Sequence, residues 1–474
     1  MSHPPFLRRL GAATALLSLA LACAGAPRAP AEKPRREVLA THQDDARAGR
    51  QGAEEVAAQV GVIDDPELAG WIEGIGRRLL RGVPRRGFDF QFHVVDMVEP
   101  NAFALPGGFI FVSRGLLALA NSEDELACVI GHEVVHAVRR HAAAQQALDR
   151  GIGPFSLPWT RAAQMASYGR EMEREADEGG QLLCAAAGWD PLALSTFLRT
   201  LEQFELLRSG ASRGTGFFDT HPSSRERAAS NAVRAGEIRW RRDPTRGDGK
   251  ASLAARTEGL AVGQRPEAGV FDGDDFLHPK LGFAIRFPHG WTQVNTNAAV
   301  GAVEPRGEAV VFLAVEGPLA GPRAAAEAWL EETRQEMRLE IVESRPVKVG
   351  NADAWRMRLA APGVSSYVTF VPYDESTWRI TGIARTVTAA RSLGPTLRTA
   401  RSFHPIADEE RRRIRVSRLA WVGARAGEDL GALSRRTGNA WDVQTTAVYN
   451  AVFANHRFAG GETVKIVRVE EWAP

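Results

Sequence analysis

Ser122-Glu123-Asp124-Glu125-Leu126-Ala127-Cys128-Val129-Ile130-Gly131-His132-Glu133-Val134-Val135-His136-Ala137-Val138-Arg139-Arg140 is the segment from which the rest of the chain can be read. Leu126, Val129, Ile130, Val134 and Val138 recur at three- and four-residue spacing and make one apolar helical face. Ser122 with Glu125 three positions on has the pattern of a capping box, so the spacing predicts a helix that begins near Ser122. His132 and His136 stand four residues apart on it. Their imidazoles therefore leave the same face, one above the other, and can share one metal ion.

Zinc suits such a pair, because neutral imidazole is a good ligand for it and a catalytic site needs three protein ligands plus a position for water. One Zn2+ per chain is the expected cofactor. Glu133, beside the first histidine, can take a proton from water and later hand it to a leaving amine. H-E-x-x-H also arises by chance in helical proteins, so a third ligand is required. Residues 171–184 continue a helical pattern in which Glu173 and Asp177 share a face. That geometry allows Glu173 to be the third ligand and Asp177 to hold a ligand histidine by its other ring nitrogen. Glu171 and Glu175 fall off this face and are expected at the surface, as is His141, five residues past His136.

H-E-x-x-H followed by Glu173-Arg174-Glu175-Ala176-Asp177 resembles the gluzincin zinc metallopeptidases of the HtpX, CAAX prenyl protease and BepA type. Asn101-Ala102-Phe103-Ala104-Leu105-Pro106-Gly107-Gly108-Phe109-Ile110 resembles that family's strand along the cleft, and Thr220-His221-Pro222 with Arg227 resembles its downstream element; together these span residues 50–235. The resemblance implies a mainly helical zincin-type domain in which His132, His136 and Glu173 bind zinc and Asp177 supports a ligand histidine. It implies that Glu133 is catalytic and that His221 reaches the site, as a transition-state donor or a removable fourth ligand; stabilising a loop is the plainer alternative for His221. Arg227 either holds the cleft or lies on a helix surface. A cleft-edge strand offers amides and carbonyls onto which an unfolded peptide can add, which makes Asn101, Ala102, Ala104, Gly107 and Gly108 candidate substrate contacts. The two glycines equally suit a simple turn. The membrane-spanning helices of the HtpX and prenyl protease branches have no counterpart in the pattern, which favours a periplasmic member; the helical repeats that follow the BepA peptidase domain have none either, so BepA's partners in outer-membrane assembly do not carry over.

Around this centre the composition is ordinary: 474 residues, 44% hydrophobic and 24% charged, suggest several domains. With 59 Lys and Arg against 57 Asp and Glu the net charge is only +2, so no long-range field points to nucleic acid. At the start, Arg8 and Arg9 precede the uncharged run Leu10 to Ala22, a secretory signal too short for the roughly 20 apolar residues of a spanning helix. Cys23 after Ala20-Leu21-Ala22 resembles a bacterial lipobox, which implies lipidation and, with Ala24 next, the outer membrane. Simple cleavage at Ala-x-Ala is the alternative. Cys128 and Cys184 lie in apolar helical patterns and are expected as small buried side chains, a bridge being the alternative.

The expected layout is therefore a signal and lipobox over 1–23, a tether over 24–36, a mainly α (α+β) metallopeptidase domain over 37–240 and a linker over 241–275. An α+β sandwich follows over 276–405, with runs such as Ala309 to Val315 and Thr377 to Ile383 as strands and helical patterns at Arg323 to Met337 and Ala389 to Ser402. Leu281 to Trp291 resembles the opening of PsbP/Mog-like domains. Residues 411–474 resemble a LysM-type βααβ module, which implies a glycan of the cell wall as ligand. The leading expectation is an endopeptidase of the bacterial periplasm, acting on misfolded or unassembled envelope proteins and tied to the membrane by its lipid. A zinc-stabilised chaperone or assembly factor with latent proteolysis, and a peptidoglycan-binding envelope protein, are the competing expectations.

Overall fold

The computed structural model describes residues 41–83, 87–145, 158–208, 217, 221, 225–245, 248–295, 300–318 and 321–473, the side chains of 158–168, 225, 318 and 336 excepted. The expected signal, the lipobox with Cys23 and the tether lie outside the described residues, as do Thr220 and Pro222. Two compact units result: 41–263 with Ser417–Glu470, and Gln264–Val416 with 471–473. Among the described residues no helix is long and apolar enough to cross a membrane.

The first unit opens with α1 (His42–Gln59), where Thr41 and Asp44 cap each other reciprocally. In α2 (Pro66–Leu79), Asp65 accepts from the amides of Glu67 and Leu68, and Leu68, Ile72, Ile75 and Leu79 bury one stripe, as their spacing predicts. The alternating run from Phe88 to Val98 predicts a strand, which forms over β1 (Gln91–Val95) alone. It runs parallel to β3 (Phe109–Ser113), and β2 (Ala102–Leu105) pairs antiparallel with the other side of β3. The order β1-β3-β2 leaves β2 at an edge. Then follow α3 (Arg114–Leu119), α4 (Glu123–Val138), α5 (Pro158–Ala186), α6 (Ala193–Leu207), α7 (Arg225–Glu237) and α8 (Gly249–Thr257). The sequence set α4 up as amphipathic, but Leu126, Ala127, Cys128, Val129, Ile130 and Val134 are all at 0% exposure, because α2, β2, α5, α6 and α8 surround it.

Three expectations change here. Cys128 and Cys184 are buried but joined in a disulfide, because α4 and α5 pack closely enough to bring their Cα atoms to 5.3 Å. The stretch 241–275 is no continuous linker: α8 sits in the first unit, with Leu253 and Thr257 fully buried. The C-terminal βααβ segment also packs into this unit, as described below.

In the second unit β10 (Glu340–Val349), β11 (Ala352–Ala361), β12 (Val364–Tyr373), β13 (Ser376–Arg385), β9 (Ala309–Pro318), β8 (Val300–Val303) and β7 (Thr292–Asn295) form one antiparallel sheet in that order. Helix α9 (Pro322–Glu336) covers the face bearing Met357, Leu359, Val368 and Phe370. Helix α10 (Ala389–Ser402) covers the other, where a Cβ at Gly382 would strike Thr396. A smaller sheet, ordered β14 (His404–Pro405), β6 (Phe283–Arg286), β5 (Asp275–His278), β4 (Val270–Asp272), adds Phe276 and Phe283 to the core, and α11 (Asp408–Arg413) follows.

The chain then returns to the first unit through β15 (Arg415–Gly423), α12 (Leu430–Thr437), α13 (Val443–Tyr449) and β16 (Thr463–Glu471), with β15 paired to β16. Tyr449 enters the main core, edge-on to Phe204 with ring centroids 5.8 Å apart. Lys465, at 0% exposure, donates its ammonium hydrogens to the carbonyls of Ala118, Leu119 and Ala120 at 3.1, 2.9 and 2.7 Å. A segment this small buries little surface by itself, and its docking on α6 and on the end of α3 supplies the rest.

Candidate metal centre

The metal-type histidines owe their position to the anchoring of α4. Ser122 Oγ accepts from the Glu125 amide, as the pattern predicts, but the Glu125 carboxylate reaches the Asn121 amide rather than that of Ser122. Glu125 also accepts from Thr196, Asp124 from the Asp190 amide and from Arg242, and Glu123 from the indoles of Trp71 and Trp189. All three acids of the first turn are buried yet bonded, and their negative charge complements the helix N-terminus.

Two turns further on, His132 Nε2 and His136 Nε2 are 3.0 Å apart. Glu173 arrives from α5 with oxygens 3.5 Å from His132 Nε2 and 3.4 Å from His136 Nε2. His221 Nδ1 lies 3.3 Å from His132 Nε2 and 3.0 Å from Glu173 Oε1. One ligand atom from each of the four falls within 4.8 Å of all the others. Bonds of ~2.0–2.1 Å at tetrahedral angles would space ligand atoms about 3.3 Å apart, so this donor set fits a zinc-sized ion.

Asp177 Oδ1 is 3.0 Å from His132 Nδ1, the ring nitrogen turned away from the cluster. Arg227 grips Asp177 through Nε at 2.9 Å and Nη2 at 2.7 Å, and reaches Glu173 Oε2 with Nη1 at 2.9 Å. Burial opposes ionisation of Glu173, but its bonds to His132 and His221 hold it well below the usual carboxylate range. Asp177 is likewise buried, and its bonds to His132 and Arg227 bring it down to about 2. For His132 burial is outweighed by the two carboxylates, which raise it to about 10, whereas burial and the charges of His132 and His221 push His136 well down. A pair of ionised carboxylates facing imidazole is a ready receptor for a cation.

Glu133 is at 0% exposure and, among the described residues, neither carboxylate oxygen has a hydrogen-bond partner, although His221 Nε2 lies 3.3 Å from Oε1. Burial raises its pKa. A carboxylate left bare beside a metal-type cluster is placed to accept from water there.

The structure brings His132, Glu133, His136, Glu173, Asp177, His221 and Arg227 together. Of the strand residues, Asn101 and Ala102 are buried and Ala104 half-buried in β2, which packs on α4. Asn101 bonds Ser113 through its backbone, while its side-chain Oδ1 is buried without a partner among the described residues. Gly107 and Gly108 have φ of 80° and 88°. A Cβ at Gly107 would strike Ala46 of α1, and one at Gly108 would strike Phe88, so this turn faces the protein's own elements.

His141 departs from expectation. Helix α4 ends at Val138 and Arg140 turns left-handed at φ 53°, so helical spacing no longer applies. His141 folds back into the protein, 6% exposed, with Nδ1 2.9 Å from His136 Nδ1 and Nε2 3.2 Å from Glu175. Glu175 is partly exposed as expected but has this role, and Glu171 stays at the surface. Two further features were not legible at first. Phe217 stacks on His221 with centroids 4.4 Å apart. Gly131 and Gly180 form the crossing of α4 and α5, where a Cβ on Gly180 would come within 2.8 Å of the His132 amide nitrogen. The signal for the second was present: Gly179 and Gly180 inside a helix cost about 1 kcal/mol each against Ala unless something needs the space.

Residues 66–233 match the family model for peptidase family M48. The chain carries an M48 peptidase domain. The gluzincin resemblance read from the His132–His136 and Glu173–Asp177 pairs therefore holds. Similar proteins include the mitochondrial metalloendopeptidase OMA1 of Schizosaccharomyces pombe, 30% identical over 33% of this chain and 50% of that protein. The beta-barrel assembly-enhancing protease of Escherichia coli K12 is 28% identical over 38% of this chain and 41% of its own length. The chain spans half or less of the length of these two relatives. Among solved structures, cyanobacterial PsbP from Synechocystis covers 31% of this chain and 99% of its own, at 9% identity and a TM-score of 0.25, which is too low to support an argument.

Proposed function

We propose that the M48 domain is a zinc-dependent endopeptidase of the bacterial cell envelope that hydrolyses misfolded or unassembled envelope proteins. The observation that carries this is the bare, buried Glu133 carboxylate beside the cluster of His132, His136, Glu173 and His221. In this reading His132, His136 and Glu173 hold the metal. Zinc, when bound, acidifies water and polarises a peptide carbonyl. Glu133 accepts the proton of the attacking water on a carboxylate oxygen and delivers it to the leaving amine, and its raised pKa suits both steps. Asp177, clamped by Arg227, fixes the tautomer and direction of His132, and His141 does the same for His136. The edge position of β2 in its sheet is where an extended substrate would add as a further strand.

The envelope setting rests on the secretory signal and lipobox of the sequence, and on the similarity to the beta-barrel assembly-enhancing proteases. The lipid at Cys23 would hold the protein at the outer membrane, and the C-terminal segment keeps the expectation of a wall glycan as ligand. The test is cleavage of an unfolded protein by the purified mature chain, with and without chelator. Activity lost to chelator, and reduced about 10²–10⁴-fold in Glu133→Gln with metal content unchanged, is expected. Absence of chelator-sensitive cleavage would refute the assignment.

One observation favours a second reading, a zinc-stabilised chaperone or assembly factor with latent proteolysis. His221 Nδ1 stands at ligand distance from the other three, so it can close the position that water needs. If it does, His221→Ala raises peptidase activity. A fall in activity assigns His221 to transition-state stabilisation instead.

A further inference from the structure

The second unit holds a buried cation, one donor of which the described residues leave unsatisfied. Arg356 lies in β11, 5% exposed, on the sheet face that α10 covers. Its Nε donates to Thr369 Oγ1 at 3.1 Å, but its Nη2 is buried with no hydrogen-bond partner among the described residues. Leaving a donor of a buried charged group unpaired is costly, and proteins ordinarily supply an acid or a carbonyl. Here the neighbours are cationic. Arg345 is the direct cross-strand partner of Arg356 on β10 and so projects from the same face. Arg401, near the end of α10, adds its charge; burial and the charges of Arg401 and Arg345 together lower the pKa of the Arg356 guanidinium. Arg345 and Arg401 are both exposed, so the group opens to solvent through them. The acid that acts on Arg356 is Glu343, which is already paired with Arg345 at 2.5 Å.

Like charges placed side by side destabilise a sheet unless something neutralises them. We propose that Arg356, Arg345 and Arg401 form a binding site for a phosphate-class oxyanion, with Arg356 as the buried donor and the two exposed arginines as its walls. Guanidinium forks match phosphate oxygens in geometry, and three of them suit a group that carries more than one negative charge better than a single carboxylate. The same chemistry is met by soluble phosphate and by a phosphomonoester lipid headgroup. The site is independent of the M48 domain and of the proposed peptidase activity.

The test uses the full mature chain and inorganic phosphate, with binding read by equilibrium dialysis at constant ionic strength. One phosphate per chain is expected to bind saturably. Arg345→Gln and Arg401→Gln, both at exposed positions, should weaken it at least about tenfold each, the scale of one charge-assisted hydrogen bond. Arg356→Met should abolish it with circular dichroism unchanged. A parallel arm sediments the same proteins with phosphatidylcholine vesicles with or without phosphatidic acid. Capture that needs phosphatidic acid and is lost in the arginine variants assigns a lipid headgroup; dialysis binding without capture assigns soluble phosphate. No binding in either arm, or binding that Arg345→Gln and Arg401→Gln leave unchanged, overturns the proposal, and the latter result also covers phosphate that sits at the metal centre.

Discussion

Replacing Gly180 by alanine tests whether the metal cluster is set by the closeness of two helix backbones. The added Cβ would lie 2.8 Å from the amide nitrogen of His132 and 3.0 Å from its Cα, backbone atoms that cannot rotate away. To reach ordinary contact near 3.5 Å, α4 and α5 must part by about 0.7 Å. Overpacking of this kind costs about 1–3 kcal/mol, and the alanine recovers about 1 kcal/mol of helix propensity, so a net loss of roughly 0–2 kcal/mol follows. Gly74 in α2 is the control, because a Cβ there meets nothing within 4 Å. Gly74→Ala should stabilise by about 0.5–1 kcal/mol, which makes the two substitutions differ in sign. The functional effect should be larger than the stability effect. His132 rides on α4 and Glu173 on α5, and a metal site tolerates about 0.5 Å of misplacement, so zinc affinity should fall at least about tenfold. Urea denaturation and competition with a chelating dye measure the two quantities. Gly180→Ala as stable as Gly74→Ala, with affinity unchanged, would refute the claim that this crossing positions the ligands.

Arg227→Met removes the guanidinium that bridges the buried carboxylates of Glu173 and Asp177, leaving His132 to face both, and should cost about 3–5 kcal/mol in urea denaturation of the metal-free protein. The pH dependence has a definite sign: Asp177 is held at about 2 against an ordinary 3.8, so its contribution is complete above about pH 4 and is lost as pH falls through 2. Arg227→Met should shrink that acid loss, and an unchanged pH profile would contradict the assigned pairing. Cys128→Ala with Cys184→Ala opens a loop with a sequence separation of 56 residues, for which chain entropy gives a loss of about 4 kcal/mol; equal denaturation midpoints for the oxidised wild type and the double variant would speak against the bond as a stabiliser. Lys465→Met removes three bonds to the carbonyls of residues 118–120, just before α4, and should cost about 2–4 kcal/mol; no shift in the unfolding midpoint would show that the C-terminal segment is not a tie on the metal helix.

The sequence alone determined what local chemistry carries. Helical spacing placed His132 and His136, and Glu173 and Asp177, each pair on one face, and the capping residue Ser122 marked where α4 begins. Periodicity also revealed the strands of the second unit, because alternation repeats within a few residues. Only the tertiary structure decided what depends on distant segments meeting. It folded His141 back onto His136 once α4 had ended, joined Cys128 to Cys184, set Phe217 on His221, and sent Lys465 from the last strand to carbonyls 345–347 positions earlier. The close crossing at Gly131 and Gly180 belongs to the same class. Each such contact depends on how helices and strands pack, and packing is a property of surfaces brought together from far along the chain, which no window of neighbouring residues contains.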